Sequence, residues 1–435
     1  MPKRACLALL CLLAAGAFKL AADLDGSWVV PLDHPSIGYM KKPAHDAITR
    51  LNERVAKGEV TLPFDDHFGY LPAVLRELHV PLSSQVLVFS KTSFQAPRIS
   101  PHNPRALYFN DEVSIGWVPG GEVVEAAAVD PTLGVVFYTL DQEKVAKPIM
   151  DRRGDCLQCH HSGGTLGVPG LVVRSVFPER SGMPLFHAGT FLTDDRSPMK
   201  ERWGGWFVTG THGSQLHMGN VFAEDKEKPN DMDLTKGANV TDLKSRVDTS
   251  AYLSPHSDIV SLLVLEHQAY MTNLITRVGY EVNMAVHDQQ AINVALGSPP
   301  DDLGESTTRR ISNATDTLLR YMLFTEESPL RDTVKGTSGF AEEFAKQGPW
   351  DAKGRSLRQF DLQRRTFRYP CSYMIYSEAF DRLPSLARDR IYRRLWEVVT
   401  GKDTTKAFAR LTAEDRTAIR EILTDTKHDL PAYWQ

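Results

Sequence analysis

Between Gln85 and Gln142 apolar and polar residues alternate in short runs: VLVFSK, RALYFND, VSIGWV, EVVEAAAVD and GVVFYTLDQ. Turn formers separate them at Asn110-Asp111, Pro119-Gly120-Gly121 and Asp130-Pro131. Five short runs so bounded predict an antiparallel meander. GLVVRSVFP and GGWFVTG read as two further strands with a long irregular loop between them. Ahead of the meander, apolar residues recur at helical spacing over His45–Lys57 and Tyr70–Leu78, and Pro81 stops the second helix. Beyond Gly219 the chain becomes polar and irregular as far as Tyr252, and there the period changes. Ser257–Asp288 carries Ile259, Leu262, Leu263, Leu265, Met271, Leu274, Ile275 and Val278 at helical spacing around much of the circumference, which predicts a long, largely buried helix. Further helices are expected over Thr307–Phe324, Gly339–Gln347, Ala387–Val399 and Ala413–Leu423.

The 435-residue chain is therefore read as α+β. A helical lead-in (23–84) precedes a β-rich domain (85–256), and a mainly helical domain (257–435) follows. No internal repeat or low-complexity tract interrupts this order.

The first residues change the picture of where the protein works. Lys3 and Arg4 form a basic start, Ala5–Phe18 is an apolar run without charge, and small residues follow at Ala15-Gly16-Ala17 and Ala21-Ala22. That pattern predicts a secretory signal peptide over residues 1–22, since the run is shorter than the roughly 20 residues that span a bilayer. Cys6 and Cys11 would leave with it, and the mature chain is expected to be exported, in the periplasm or its equivalent, without a transmembrane segment. Loss of Lys3, Arg4 and Lys19 lowers the net charge of −4 by three, to −7. Blocks of like charge are absent, so nothing points to a nucleic-acid partner or a polybasic membrane patch.

Three cysteines remain: Cys156, Cys159 and Cys371. Two of them stand in Cys156-Leu157-Gln158-Cys159-His160, a C-x-x-C-H run. In an exported protein such a run is the attachment site of a c-type haem: two thiols three positions apart reach the two porphyrin vinyl groups, and the adjacent imidazole comes up under the iron. A zinc site would want a second Cys/His pair, which the sequence lacks, and a redox dithiol should open a helix in a βαβ unit rather than sit within GDCLQCHHSGGTLGVPG. On these residues the chain resembles the c-type cytochromes, over about fifteen positions. The resemblance implies one covalent haem c, with His160 as proximal ligand, and a proline shortly after the motif whose backbone or neighbours orient that imidazole. Pro169 fits this place. Gly163-Gly164 and Gly167 would let backbone approach the porphyrin closely. The β-rich surroundings depart from the all-helical fold of small cytochromes.

The same resemblance implies a distal ligand some tens of residues later. Met183, Met199 and Met218 lie in that window, and His212, His217 and Met218 stand within twelve residues of one another; His217 and Met218 are the candidate iron ligands. His267, in the middle of the long helix, is read as a satisfied core histidine, with a distal acid/base role as the alternative. Arg152 and Arg153 are candidates for the haem propionates, His161 for the propionate side or the surface. Cys371, among aromatic residues, is expected to be a buried, inert thiol.

Three functions stay open: an electron-transfer monohaem cytochrome working with a redox partner protein, a haem-dependent oxidoreductase with an accessible distal position, and a haem-based sensor or binding module. Most of the chain exceeds what a haem carrier requires, which favours an enzyme. The absence of a G-x-S-x-G, H-E-x-x-H or dinucleotide motif favours electron transfer.

Overall fold

The computed structural model describes residues 29–434, so the expected signal peptide, with Cys6 and Cys11, lies outside the described residues. The meander forms as expected from β1 (Val86–Val88), β2 (Arg105–Phe109), β3 (Val113–Trp117), β4 (Val123–Asp130) and β5 (Gly134–Asp141). Two short strands extend it, β6 (Asp151–Arg152) beyond β5 and β9 (Trp206–Phe207) beyond β1. The result is a seven-stranded antiparallel sheet of order β6-β5-β4-β3-β2-β1-β9. β7 (Val173–Val176) and β8 (Thr190–Thr193) make a separate two-stranded ribbon. β8 falls in the stretch expected to be irregular; it is short, and Phe191 alone of its side chains carries apolar packing inward.

Alternation assigns the two sheet faces. Ala106, Tyr108, Ile115, Val124, Val136 and Tyr138 point to one side, where α1 (Ala47–Lys57) and α2 (Leu71–Glu77) bring Ile48, Leu51, Leu71 and Val74 against them. The opposite face is more polar. It carries a cross-strand row in register, Leu107, Gly116, Glu125 and Thr139, with Arg105 and Phe137 alongside. Above it, after β5 and β6, comes a single helical turn, α3 (Leu157–His160).

The helical part contains α4 (Ile259–Leu296), α5 (Glu305–Met322), α6 (Phe340–Lys346), α7 (Glu378–Asp381), α8 (Ser385–Val399) and α9 (Ala413–Thr426). Asp258 caps α4 by accepting from the N–H groups of Val260 and Ser261 (2.8 and 3.1 Å), and Gly297 ends it in the left-handed conformation. The helix runs past the expected Asp288 because its last turns are exposed, as at Val294 and Leu296. Helical propensity and the Gly297 cap continue it there without an apolar stripe. The first two-thirds of α4 is buried on all sides, as expected. One apolar core joins Val86, Val88 and Phe109 of the sheet to Leu262, Leu263 and Leu274 of α4 and to Leu318, Leu395 and Ile419 beyond. It runs across the boundary drawn at 256/257. Among the described residues no helix is long and apolar enough to cross a membrane.

Candidate functional site

The turn α3 puts Cys156, its N-cap, and Cys159 one helical turn apart, so both thiols share a side. They are not joined in a disulfide; Cys159 is exposed and Cys156 partly buried. Burial pushes the Cys156 thiol pKa up, helped by Asp155 and Glu125, so this sulfur rests as S–H.

His160 follows on the same turn and stacks obliquely on Phe137 of β5, with ring centroids 4.6 Å apart. Its Nδ1–H donates to the Gly170 carbonyl at 2.9 Å, while the Gly170 N–H donates back to the His160 carbonyl at 2.9 Å. A carbonyl only accepts, so the proton must sit on Nδ1, and Nε2 keeps its lone pair. Burial lowers the pKa of the ring and outweighs the opposing Gly170 bond; Arg105 adds to the lowering. The imidazole is therefore neutral at neutral pH, the form that ligates metals. Orientation of the proximal candidate thus comes from the neighbour of Pro169 rather than from Pro169 itself, whose carbonyl accepts from the Val135 N–H.

What holds Gly170 in place is the long helix. Asn273 of α4 accepts from the Leu171 N–H through Oδ1 (2.9 Å) and donates from Nδ2 to the Leu171 carbonyl (2.7 Å), a two-bond clip on the strand leading away from the motif. A Cβ at Gly170 would lie 2.1 Å from that Oδ1, so the clip demands glycine. The same loop is tied elsewhere: the Val30 N–H donates to the Gly167 carbonyl (2.8 Å), and His161 Nε2–H donates to the Val30 carbonyl (2.9 Å). His161 is thus a structural tether to the N-terminal segment.

On the sheet below, the Arg105 guanidinium lies across Gly116 to pair with Glu125, and a Cβ at Gly116 would collide with it. Gln95 donates to the other oxygen of Glu125 at 2.9 Å. Apolar side chains border the turn without packing inward. Phe94, 63 % exposed, lies beneath the Arg153 guanidinium, and Leu192, 44 % exposed, lies where a Cβ on Gly164 would be 3.0 Å from it. Arg174 is the cross-strand partner of Leu192 on the same ribbon face, and its guanidinium has no acceptor among the described residues. The two arginines singled out in the sequence are engaged: Arg152 donates to the Tyr39 and Lys42 carbonyls, and Arg153 pairs with Asp155 at 2.7 Å.

The distal candidates lie in their own packing environment, around Trp203 and Phe177. His217 is 1 % exposed, its ring against Trp203 and His212. Its Nδ1 accepts from the Gly219 N–H at 3.0 Å, which puts the proton on Nε2, the reverse of His160. Burial drives its pKa down to about 3. Met218 packs with Phe177, Leu185 and Ala223, and its sulfur accepts from the Ser175 hydroxyl at 3.7 Å. His212 donates to the Gln215 carbonyl and accepts from the Asn239 N–H. Of the methionines in the window, Met199 is partly packed and Met183 is 49 % exposed.

His267 is buried, with Nδ1 3.2 Å from Asp195 and Nε2 2.7 Å from the Ser372 hydroxyl, between the rings of Tyr321 and Phe324. The Ser-His-Asp order resembles a nucleophilic triad, yet Ser372 has no exposed surface and its Oγ caps a short turn at Met374. Both ring nitrogens of His267 are satisfied within the core, while Asp195 Oδ1 and the Tyr321 hydroxyl have no partner among the described residues. Cys371 is fully buried, its pKa pushed up to about 12.

Gly170, Asn273, Phe137 and Arg174 escaped the sequence reading. Only Asn273 left a trace, as an amide inside an otherwise apolar helical stretch. No family model, curated protein or solved structure matches this chain.

Proposed function

We propose that the chain is an exported monohaem c-type protein that transfers electrons, with haem c held by Cys156, Cys159 and His160. The observation that carries this is the tautomer of His160: Nδ1–H committed to Gly170 and Nε2 presented as a lone pair, beside two unpaired thiols on one side of the same turn. In attachment each thiol S–H adds across one vinyl double bond, forming one C–S and one C–H bond with no net oxidation. The bound group would supply one-electron chemistry at iron. Around it the chain's own residues have fitting roles. Phe137 fixes the ring plane of His160, Phe94 and Leu192 offer apolar surface, and Arg174 offers an unpaired guanidinium to a propionate.

A second reading, an oxidoreductase with an accessible distal position, draws on the state of His217 and Met218. Both are buried, His217 with Nδ1 engaged and its proton on Nε2, and Met218 packed in a small apolar cluster, so a sixth position at either would need rearrangement. Met183, exposed, is the alternative sixth ligand that would keep the electron-transfer reading.

The test is the protein co-expressed with a cytochrome maturation system and run on a denaturing gel stained for haem peroxidase activity. A coloured band at the mature mass supports attachment, and a colourless band contradicts it. Spectra then separate the readings. A low-spin ferric spectrum that changes in Met183→Ala and resists carbon monoxide after reduction supports electron transfer; a high-spin spectrum with immediate carbon monoxide binding supports the second.

A further inference from the structure

A second cluster of metal-ligating side chains lies away from the motif, where the N-terminal segment crosses α4. His34, His287 and Asp288 each bring one donor atom to a common point, all within 4.8 Å of one another. His34 Nε2 is 3.3 Å from Asp288 Oδ1, and His287 Nδ1 is 3.6 Å from the same oxygen. Donors bound tetrahedrally at about 2.0–2.1 Å from zinc stand roughly 3.3 Å apart, so these separations suit a single ion with little movement.

The donors are also prepared for that use. The His34 carbonyl accepts from the N–H groups of Ile37 and Gly38 (2.8 and 3.0 Å), which closes a turn around the residue, and its Nδ1 contacts the Ser36 hydroxyl at 2.8 Å. Nδ1 also accepts from the Ser36 N–H at 3.3 Å, so the ring proton sits on Nε2, turned toward Asp288 Oδ1, and an ion bound there would displace that proton. His287 Nδ1 is buried and has no hydrogen-bond partner among the described residues, although the rest of its side chain reaches solvent. The rings of His34 and His287 meet edge to face, centroids 5.0 Å apart. Two cations approach the cluster among the described residues: Arg310 of α5 lies 3.6 Å from Asp288 Oδ2, the oxygen not shared with the histidines, and is itself paired with Glu281 at 2.9 Å, while Lys42 donates to the Ser36 carbonyl at 3.1 Å.

We propose that His34, His287 and Asp288 bind one divalent zinc-class ion, completed by water, which staples the N-terminal segment to α4. Two imidazoles and one carboxylate select borderline ions such as Zn²⁺ over Ca²⁺ or Mg²⁺, which want oxygen donors. The staple acts on the segment that carries Val30, whose N–H and carbonyl hold Gly167 and His161, so metal here would stiffen the loop behind the Cys156–His160 turn. This inference stands apart from the haem reading.

The experiment is equilibrium dialysis of the full-length mature protein, stripped with chelator, against Zn²⁺, with zinc and iron measured separately by elemental analysis. The expected result is one zinc per chain, retained in Cys156→Ser/Cys159→Ser, lost in His34→Ala/Asp288→Ala, and retained more tightly in Arg310→Gln. Zinc should also raise the thermal midpoint of the wild type and leave that of the double variant unmoved, with far-ultraviolet circular dichroism establishing that both are folded. Absence of zinc from the wild type, its retention by His34→Ala/Asp288→Ala, its loss with the two thiols, or a preference for Ca²⁺ would each overturn the proposal.

Discussion

His160 and His217 use one side chain in opposite ways. At the Cys156–Gly170 turn, His160 gives Nδ1–H to a carbonyl and holds Nε2 as a lone pair, near thiols, aromatic carbon and a guanidinium without an acceptor among the described residues. In the loop after β9, His217 receives an N–H on Nδ1 and is enclosed by Trp203, His212 and the packing of Met218. A buried polar group without a partner costs roughly 1–3 kcal/mol, so protein interiors satisfy most of theirs, as both ring nitrogens of His212 and of His267 show. Ligating groups left without protein partners at a surface turn are therefore the better guide to where something else binds. Both regions carry residue types that can ligate iron; among the described residues, the thiols and His160 Nε2 of the first have no protein partner.

The largest effect that would break this contrast concerns the thiols. Cys156→Ser or Cys159→Ser is expected to abolish normal covalent pigment, whereas Cys371→Ser, buried and remote in role, leaves the stained band at wild-type intensity. Equal loss in all three would show that general misfolding, not attachment, is being read.

Next comes the clip on Gly170. Asn273→Ala removes both hydrogen bonds to Leu171 and is expected to lower unfolding free energy by about 1–3 kcal/mol in denaturant titration. Because Gly170 orients His160, the same change should broaden the ligand-field bands of the pigmented protein. An unchanged midpoint would mean that α4 does not position the site.

The His217 region can also be set by pH against a buried carboxyl of the helical part. Glu327, buried and held by the Thr366 N–H at 2.8 Å, has its pKa raised to about 7 by burial, above its ordinary value of 4.5. A carboxyl raised on folding contributes most below the unfolded pKa, so this contribution is lost as pH rises from 4.5 through 7. His217 runs the other way. Its pKa falls from 6.5 to about 3, so the folded state binds fewer protons than the unfolded, and its contribution is intact above 6.5 and lost as pH falls below that. Each slope is bounded by about 1.4 kcal/mol per pH unit. Between pH 5 and 6.5 they oppose each other. Glu327→Gln should therefore expose the His217 slope and make stability rise more steeply with pH across that interval. A flatter profile in this variant would contradict the assignment.

Arg174 gives the smallest effect. Arg174→Gln should leave attachment intact and lower the midpoint potential by no more than about 60 mV, the equivalent of a tenfold one-electron shift, since loss of a nearby cation favours the ferric state. No shift would remove Arg174 from the propionate role.

Much of the α+β architecture was legible because period-two runs and turn formers mark β1–β5, and a sustained helical period marks α4. β8 was not, since a four-residue ribbon strand with one inward side chain has no pattern to read. The motif marked a candidate site, but the group that orients His160 did not show. Gly170 acts through a backbone carbonyl, and Asn273 reaches it from more than a hundred residues along the chain, at Leu171. His217 and Met218 were read as candidate ligands from their residue types; their burial and their hydrogen bonds with Gly219 and Ser175 are invisible in a sequence.

The measurement that bears most directly on the central claim is peptide mass mapping of the mature protein made in a host with an active maturation system. The account predicts one haem mass added to the peptide spanning Cys156 and Cys159, with Cys371 unmodified. Both motif thiols recovered free, or joined to each other as a disulfide in protein from that host, would contradict it.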